Sequence, residues 1–216
     1  MKPIVIIPAA GKSSRFHGNS PKWMRTHPDG ALMIEKAIQT FESKNFDIYL
    51  VTTKEIDKLF NVSQKLKMAL PHLNLILLEN STKSSVETLF KGLEEIGDTI
   101  DLNAGMFVKD VDNVVSFDWE NFDFDFSSSV AIDLKEFNVS NVSNKSFIIN
   151  NDNNIIVDFV EKEIISNLIS VGTHYFKTVL EALKTAQKLL NMENQSGELY
   201  ISHLIAYNIY NGIDYK

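Results

Sequence analysis

A chain of 216 residues that is 44% apolar and 23% charged is long enough for one ordinary domain with a real core, and too apolar to be disordered. Its net charge of −7 argues against a polyanion such as nucleic acid as partner but leaves room for a local basic pocket. There is no cysteine, which excludes disulfides and thiolate metal sites, and no apolar run approaches the roughly 20 residues that span a bilayer.

The first element is the short apolar run 3–7, which reads as a buried parallel strand. It is too short for a signal peptide and is interrupted by Pro8, so a cytoplasmic location is expected. The Asn-x-Ser triplets at Asn138, Asn141 and Asn144 are then expected to be idle. The run enters the loop Pro8-Ala9-Ala10-Gly11-Lys12-Ser13-Ser14-Arg15-Phe16, followed by Pro21-Lys22. Ala9, Ala10 and Gly11 let a ligand approach the backbone, and Gly11 is free to take φ > 0. Arg15 and Lys22 bring two cations to the strand end, where open α/β sheets bind ligands. Gly11-Lys12-Ser13 is not a P-loop, because that motif needs a glycine where Ile6 stands.

Turn signals fill 17–21 and 27–30, with His17 and His27 read as solvated loop residues. Leu32, Ile34, Ala37, Ile38 and Phe41 then recur at helical spacing. Residues 47–51 predict a second strand, 55–70 a second helix stopped at Pro71, and 73–78 a third strand. Ser84 or Ser85 is positioned to cap a third helix, with Glu87 placed as in a capping box. Residues 105–108 predict a fourth strand ending in Lys109-Asp110-Val111-Asp112-Asn113. This alternation implies an α/β fold, Rossmann-like and mixed, with a mainly parallel central sheet flanked by helices. Farther on, 126–134 and 147–159 are strand-like, and the Asn/Ser-rich interval 138–154 reads as a hairpin or surface excursion. Residues 168–176 predict another strand, and 178–190 and 198–210 two more helices.

Asp110 and Asp112 at the end of a central strand are hard oxygen ligands suited to Mg²⁺, which keeps waters and substrate phosphates in its shell. The alternative is an acidic turn with no metal. Residues 82–88, Thr-Lys-Ser-Ser-Val-Glu-Thr, place hydroxyls and helix N–H groups at the same edge of the sheet, either for a ligand or as a plain N-cap. His174 alternates with Val171 and Thr173 and reads as structural.

The run 4–22 resembles the signature loop of the nucleotidyltransferases, the sugar-nucleotide pyrophosphorylases and cytidylyltransferases, in which a small-residue loop with Arg-Phe precedes Pro-Lys. Ser84-Ser85-Val86 resembles the base-contacting segment of cytidylyltransferases. Val160-Glu161-Lys162, the strand through Gly172-Thr173-His174-Tyr175-Phe176, and Gly197-Glu198-Leu199-Tyr200-Ile201 resemble, in the same order, segments of the sugar-nucleotide enzymes. One departure is Glu163, where those enzymes usually have proline.

The resemblance implies one nucleotidyltransferase domain over 1–216, of the nucleotide-diphospho-sugar transferase type, with a nucleotide-binding half at 1–113 and an acceptor-binding half at 114–216. It implies transfer of a nucleoside monophosphate from a triphosphate, with CTP slightly favoured, to a phosphorylated acceptor such as a sugar phosphate for capsule or another surface glycan, releasing pyrophosphate. Arg15 and Lys22 would be catalytic. Ala9, Ala10, Gly11, Lys12, Ser84 and Ser85 would bind nucleotide; Glu161, Lys162, Gly172 and Glu198 would bind the acceptor; Asp110 and Asp112 would hold Mg²⁺. No nucleic acid or membrane partner is implied, and a homo-oligomer is compatible. The family's second acidic metal ligand falls near the C-terminus, so either Asp214 takes that role or its segment is lacking; the latter is the expectation. A GT-A-type glycosyltransferase reading Asp110-Val111-Asp112 as Asp-x-Asp, and a non-catalytic nucleotide sensor, remain open alternatives.

Overall fold

The structure is a computed structural model that describes residues 2–11, 20–192 and 197–216. Strands β1 (Ile4–Pro8), β2 (Asp47–Thr53), β3 (Leu73–Leu78) and β4 (Met106–Lys109) pair in parallel in the order β3-β2-β1-β4. Between them run α1 (Met33–Glu42), α2 (Lys54–Phe60), α3 (Val62–Ala69) and α4 (Ser85–Ile96). Along β1, Val5 and Ile7 pack with Ile34, Ile38 and Phe41 of α1, whereas Ile4 and Ile6 pack with Val86, Leu89 and Leu93 of α4. Both faces are covered, which is why β1 is continuously apolar rather than alternating.

After β4 the chain builds antiparallel. It forms β5 (Ser128–Asp133), β6 (Ser146–Asn150), β7 (Ile156–Glu161) and β8 (Leu168–Phe176), then α5 (Val179–Leu190) and α6 (Ile201–Tyr210). The second half of β8 pairs with β4, setting Thr173 opposite Lys109, while its first half pairs with the β6–β7 hairpin. β5 runs beside both halves, with a register slip between Ser129 and Ala131. Across that slip lies Gly172, with φ +67. The expected mixed α/β architecture, with a parallel centre flanked by helices, is therefore what the chain adopts.

Two local expectations are corrected. The helix over 55–70 is broken at Asn61, whose φ of 53 places it in the left-handed region that asparagine tolerates, so α2 and α3 are separate. Ser84 does cap α4, its Oγ accepting the Glu87 N–H at 3.1 Å, but the Glu87 carboxylate reaches the Lys83 N–H at 2.7 Å rather than that of Ser84.

Residues after α6 return to the sheet. Ser129 N–H donates to the Lys216 carbonyl and Ile156 N–H to that of Tyr215, so this segment lies between the starts of β5 and β7. Tyr215 is fully buried, its hydroxyl donating to Glu181 at 2.6 Å and accepting from Asn208 at 2.8 Å. Over α1, the segment after β4 lays Phe117, Trp119 and Phe122 against Phe41 and Phe107, with ring centroids 4.7–5.8 Å apart. Among the described residues no helix is long and apolar enough to cross a membrane.

Candidate active site

Three loops meet at the carboxyl ends of the parallel strands. Ala9 N–H donates to the Val51 carbonyl at 2.8 Å, and Thr82 N–H to that of Ala10 at 3.0 Å, zipping the loop after β1 to the loop after β3. Ala10 is buried. Gly11 bridges to Thr82, is exposed, and does not use the positive φ open to it; among the described residues a Cβ there would meet nothing within 4 Å. Lys12 and Arg15, like His17, lie outside the described residues. Ser84 and Ser85 stand at the start of α4 with their hydroxyls engaged by protein, Ser84 as the cap and Ser85 donating to the Leu199 carbonyl at 3.2 Å.

The loop after β4 carries the charges. Lys22 opens a short 3₁₀ turn, Lys22–Met24, anchored by buried Trp23, and its ammonium pairs with the Asp112 carboxylate. Asp110 donates its N–H to the Gly172 carbonyl at 2.7 Å. Asp110 is solvent-exposed, with Gly172 backing its carboxyl. Desolvation by the surrounding protein, then the Asp112 charge, push its pKa up to about 6, with Lys109 and Lys22 opposing and Glu161 adding to the rise. Gly172 is the residue beneath that carboxyl: a Cβ there would lie 2.0 Å from Asp110 Oδ2. Lys109 is fully buried, and burial pulls its pKa down to about 8 against the upward pull of Asp110 and Asp112.

The antiparallel half contributes Glu161 at the end of β7. Its Oε2 accepts from Ser146 Oγ and, at 2.7 Å, from Ser202 Oγ, and its side chain is 11% exposed. Lys162 follows in the left-handed region, φ +59, with its ammonium bonded to the Tyr200 hydroxyl and 4.0 Å above that ring. The Tyr200 hydroxyl donates to Glu198 at 2.7 Å. Glu161, Lys162 and Glu198 are thus joined into one network, electrostatically coupled to Asp110 through Glu161. Sequence reasoning passed over its supports. Tyr200 lies in the quoted Gly-Glu-x-Tyr-Ile segment and Ser202 directly follows it, whereas Ser146 carried no signal beyond an Asn/Ser-rich stretch.

His174 is structural, as expected. It is buried, its Nδ1 bonds Ser129 Oγ at 2.9 Å, and burial, with Lys109 adding, holds its pKa down to about 3. Asp214 does not join the site. Its neighbour Tyr215 pairs with Ser127 and packs on Phe176, level with Met106 at the opposite end of β4 from Asp110. A cavity of about 460 Å³ between Lys2, Lys44, Phe46, Trp119 and Phe124 also lies away from these strand ends. No Asp, Glu or hydroxyl lines it, so the convergent loops mark the site instead.

Among the described residues no three His, Cys, Asp or Glu side chains cluster as a ready metal cage. Two carboxylates on one loop, all hard oxygen donors, nevertheless fit an ion such as Mg²⁺ that draws its remaining ligands from water and phosphate.

No family model and no curated protein matches the chain. Solved structures do. A nucleoside-diphosphate-sugar pyrophosphorylase from Vibrio cholerae RC9 superposes with a TM-score of 0.77 at 24% identity, over 98% of this chain and 89% of that one. An inositol-1-phosphate CTP transferase from T. maritima superposes with a TM-score of 0.69 at 14% identity, over 100% and 84%. The fold of this chain is that of these nucleotidyltransferase structures.

Proposed function

We propose that the chain is a nucleotidyltransferase that moves a nucleoside monophosphate from a triphosphate, with CTP slightly favoured, to a phosphorylated acceptor of the sugar-phosphate type. The observation that carries this reading is the convergence of Lys22, Asp110 and Asp112 at the carboxyl ends of the parallel strands, with Glu161 of the other half close enough to act on Asp110. In the reaction an acceptor phosphate oxygen attacks the α-phosphorus in line. A new P–O bond forms, the bond to the β-phosphate oxygen breaks, and pyrophosphate leaves with the electron pair. No general base is needed, because a phosphate monoester is already ionised near neutral pH.

Asp110 and Asp112 would hold Mg²⁺, which when bound supplies charge neutralisation across the phosphates. Lys22, once released from Asp112, meets the triphosphate, as Arg15 would from the same loop. Glu161, held by two serine hydroxyls, presents its remaining lone pairs to an acceptor hydroxyl, and Lys162 faces the acceptor phosphate. The protein mainly positions two anions and offsets the charge that develops between them.

Thermal unfolding with Mg²⁺ and CTP, UTP, dTTP, GTP or ATP, followed by pyrophosphate release with a sugar-phosphate panel, tests the reading. A triphosphate at ~100 times its dissociation constant adds about 2.7 kcal/mol of stability. Selective stabilisation and pyrophosphate release with CTP are expected. Consumption of a nucleotide sugar without pyrophosphate would favour the glycosyltransferase, and binding without turnover the sensor.

A further inference from the structure

We propose that Lys109, which no step of the mechanism uses, is the positioning residue that fixes the loop carrying Asp110 and Asp112. Lysine is almost never fully buried, yet Lys109 has no exposed surface at the end of β4. It cannot touch substrate. Its ammonium donates to two main-chain carbonyls, those of Asp110 and Asn113, each at 2.7 Å. With Asp110 N–H held by the Gly172 carbonyl, both ends of the loop 110–113 are tied down.

An apolar side chain of the same length would fill this space without the penalty of burying a charge. What only the ammonium supplies is a clasp that turns the chain back on itself, together with a cation beside two carboxylates that must converge. Two carboxylates two residues apart on one short loop carry like charges that repel, and a loop left to itself would let them separate. The clasp opposes this through the backbone, without itself drawing on the carboxylate oxygens. The inference rests on the metal role assigned to these two residues above.

The test compares wild type with Lys109→Met, which keeps the stem and removes the ammonium. Two readouts are taken: hydrogen exchange over residues 110–114, and binding of Mn²⁺ alone followed by electron paramagnetic resonance. Faster exchange confined to the loop, with Mn²⁺ bound about tenfold more weakly, is expected of a residue supporting metal ligands. Unchanged loop exchange overturns the clasp. Unchanged or tighter Mn²⁺ binding also overturns it, since mere removal of a nearby cation strengthens binding to carboxylates. If Lys109→Met fails to fold, Lys109→Gln, which retains a donor, is read the same way. Wild type that binds no Mn²⁺ sinks the metal reading instead, and its loop exchange still reports on the clasp.

Discussion

The two halves of the sheet deliver their residues to the candidate site by different means. In the parallel half the anchors are backbone groups: Ala9 on Val51, Thr82 on Ala10, and the Asp110 loop on Gly172 and on the Lys109 ammonium. In the antiparallel half they are side chains bonded to one another, with Ser146 and Ser202 on Glu161, and Glu198, Tyr200 and Lys162 in a row. Parallel strands end at one edge, so short loops there are shaped by the ladder itself. A hairpin such as β6–β7 returns through loops of variable path, and its charged ends need hydroxyl partners to hold a direction. Altering the anchors of the parallel half should therefore act through the backbone, and altering the hydroxyl partners of Glu161 and Lys162 should act on acceptor binding.

Gly172 is where the halves touch, and its substitution should have the largest effect. Gly172→Ala places a Cβ 2.0 Å from Asp110 Oδ2 at φ +67, so both strain and collision apply. A loss of about 3 kcal/mol of stability is expected, along with most of the turnover. Denaturant unfolding giving less than about 1 kcal/mol, with full activity, would show that the junction is not rigid.

The next effect is on acid stability, through His174 beneath the same junction. Its folded pKa, about 3, lies below its value of roughly 6.5 in an unfolded chain. Above pH 6.5 it is neutral in both states and favours neither. As pH falls from 6.5 toward 3 only the unfolded chain gains the proton, so stability drops by up to about 1.4 kcal/mol per pH unit. Urea unfolding at pH 7, 5.5 and 4 should show this limb, and His174→Gln should flatten it. Parallel curves for the two proteins would remove His174 as the cause.

Ser202→Ala sharpens the contrast on the acceptor side. Loss of one of the two hydroxyls that orient Glu161 should raise KM for the acceptor about fivefold, near 1 kcal/mol, with KM for the triphosphate unchanged. A change in both would mean that the halves are coupled more tightly than their anchoring indicates. Lys22→Ala should have the smallest effect on folding. Its pair with Asp112 is 42% and 33% exposed, so less than about 1 kcal/mol of stability should be lost while pyrophosphate release falls sharply.

What the sequence determined on its own is local. The strand Leu168–Phe176, the cap at Ser84 and the start of α5 at Thr178 were legible because periodicity and capping involve residues a few positions apart. Lys22, Asp110 and Asp112 were legible as candidates for the same reason: each follows a strand or turn signal, and parallel strands end at one edge. The break at Asn61 was not, because asparagine is compatible with helix and with a left-handed turn, and packing on either side decided between them.

Tertiary structure alone decided the rest. Ser146 and Ser202 meet Glu161 from 15 and 41 residues away. Tyr215 is buried between β5 and β7, which takes Asp214 out of the site. Nothing in the sequence marks Lys109 as buried, and only the pairing of β4 with β8 and the return of the loop onto its ammonium bury it. Such contacts depend on which distant segments the core brings together, and hydrophobic period, the main signal in a single sequence, is blind to that choice.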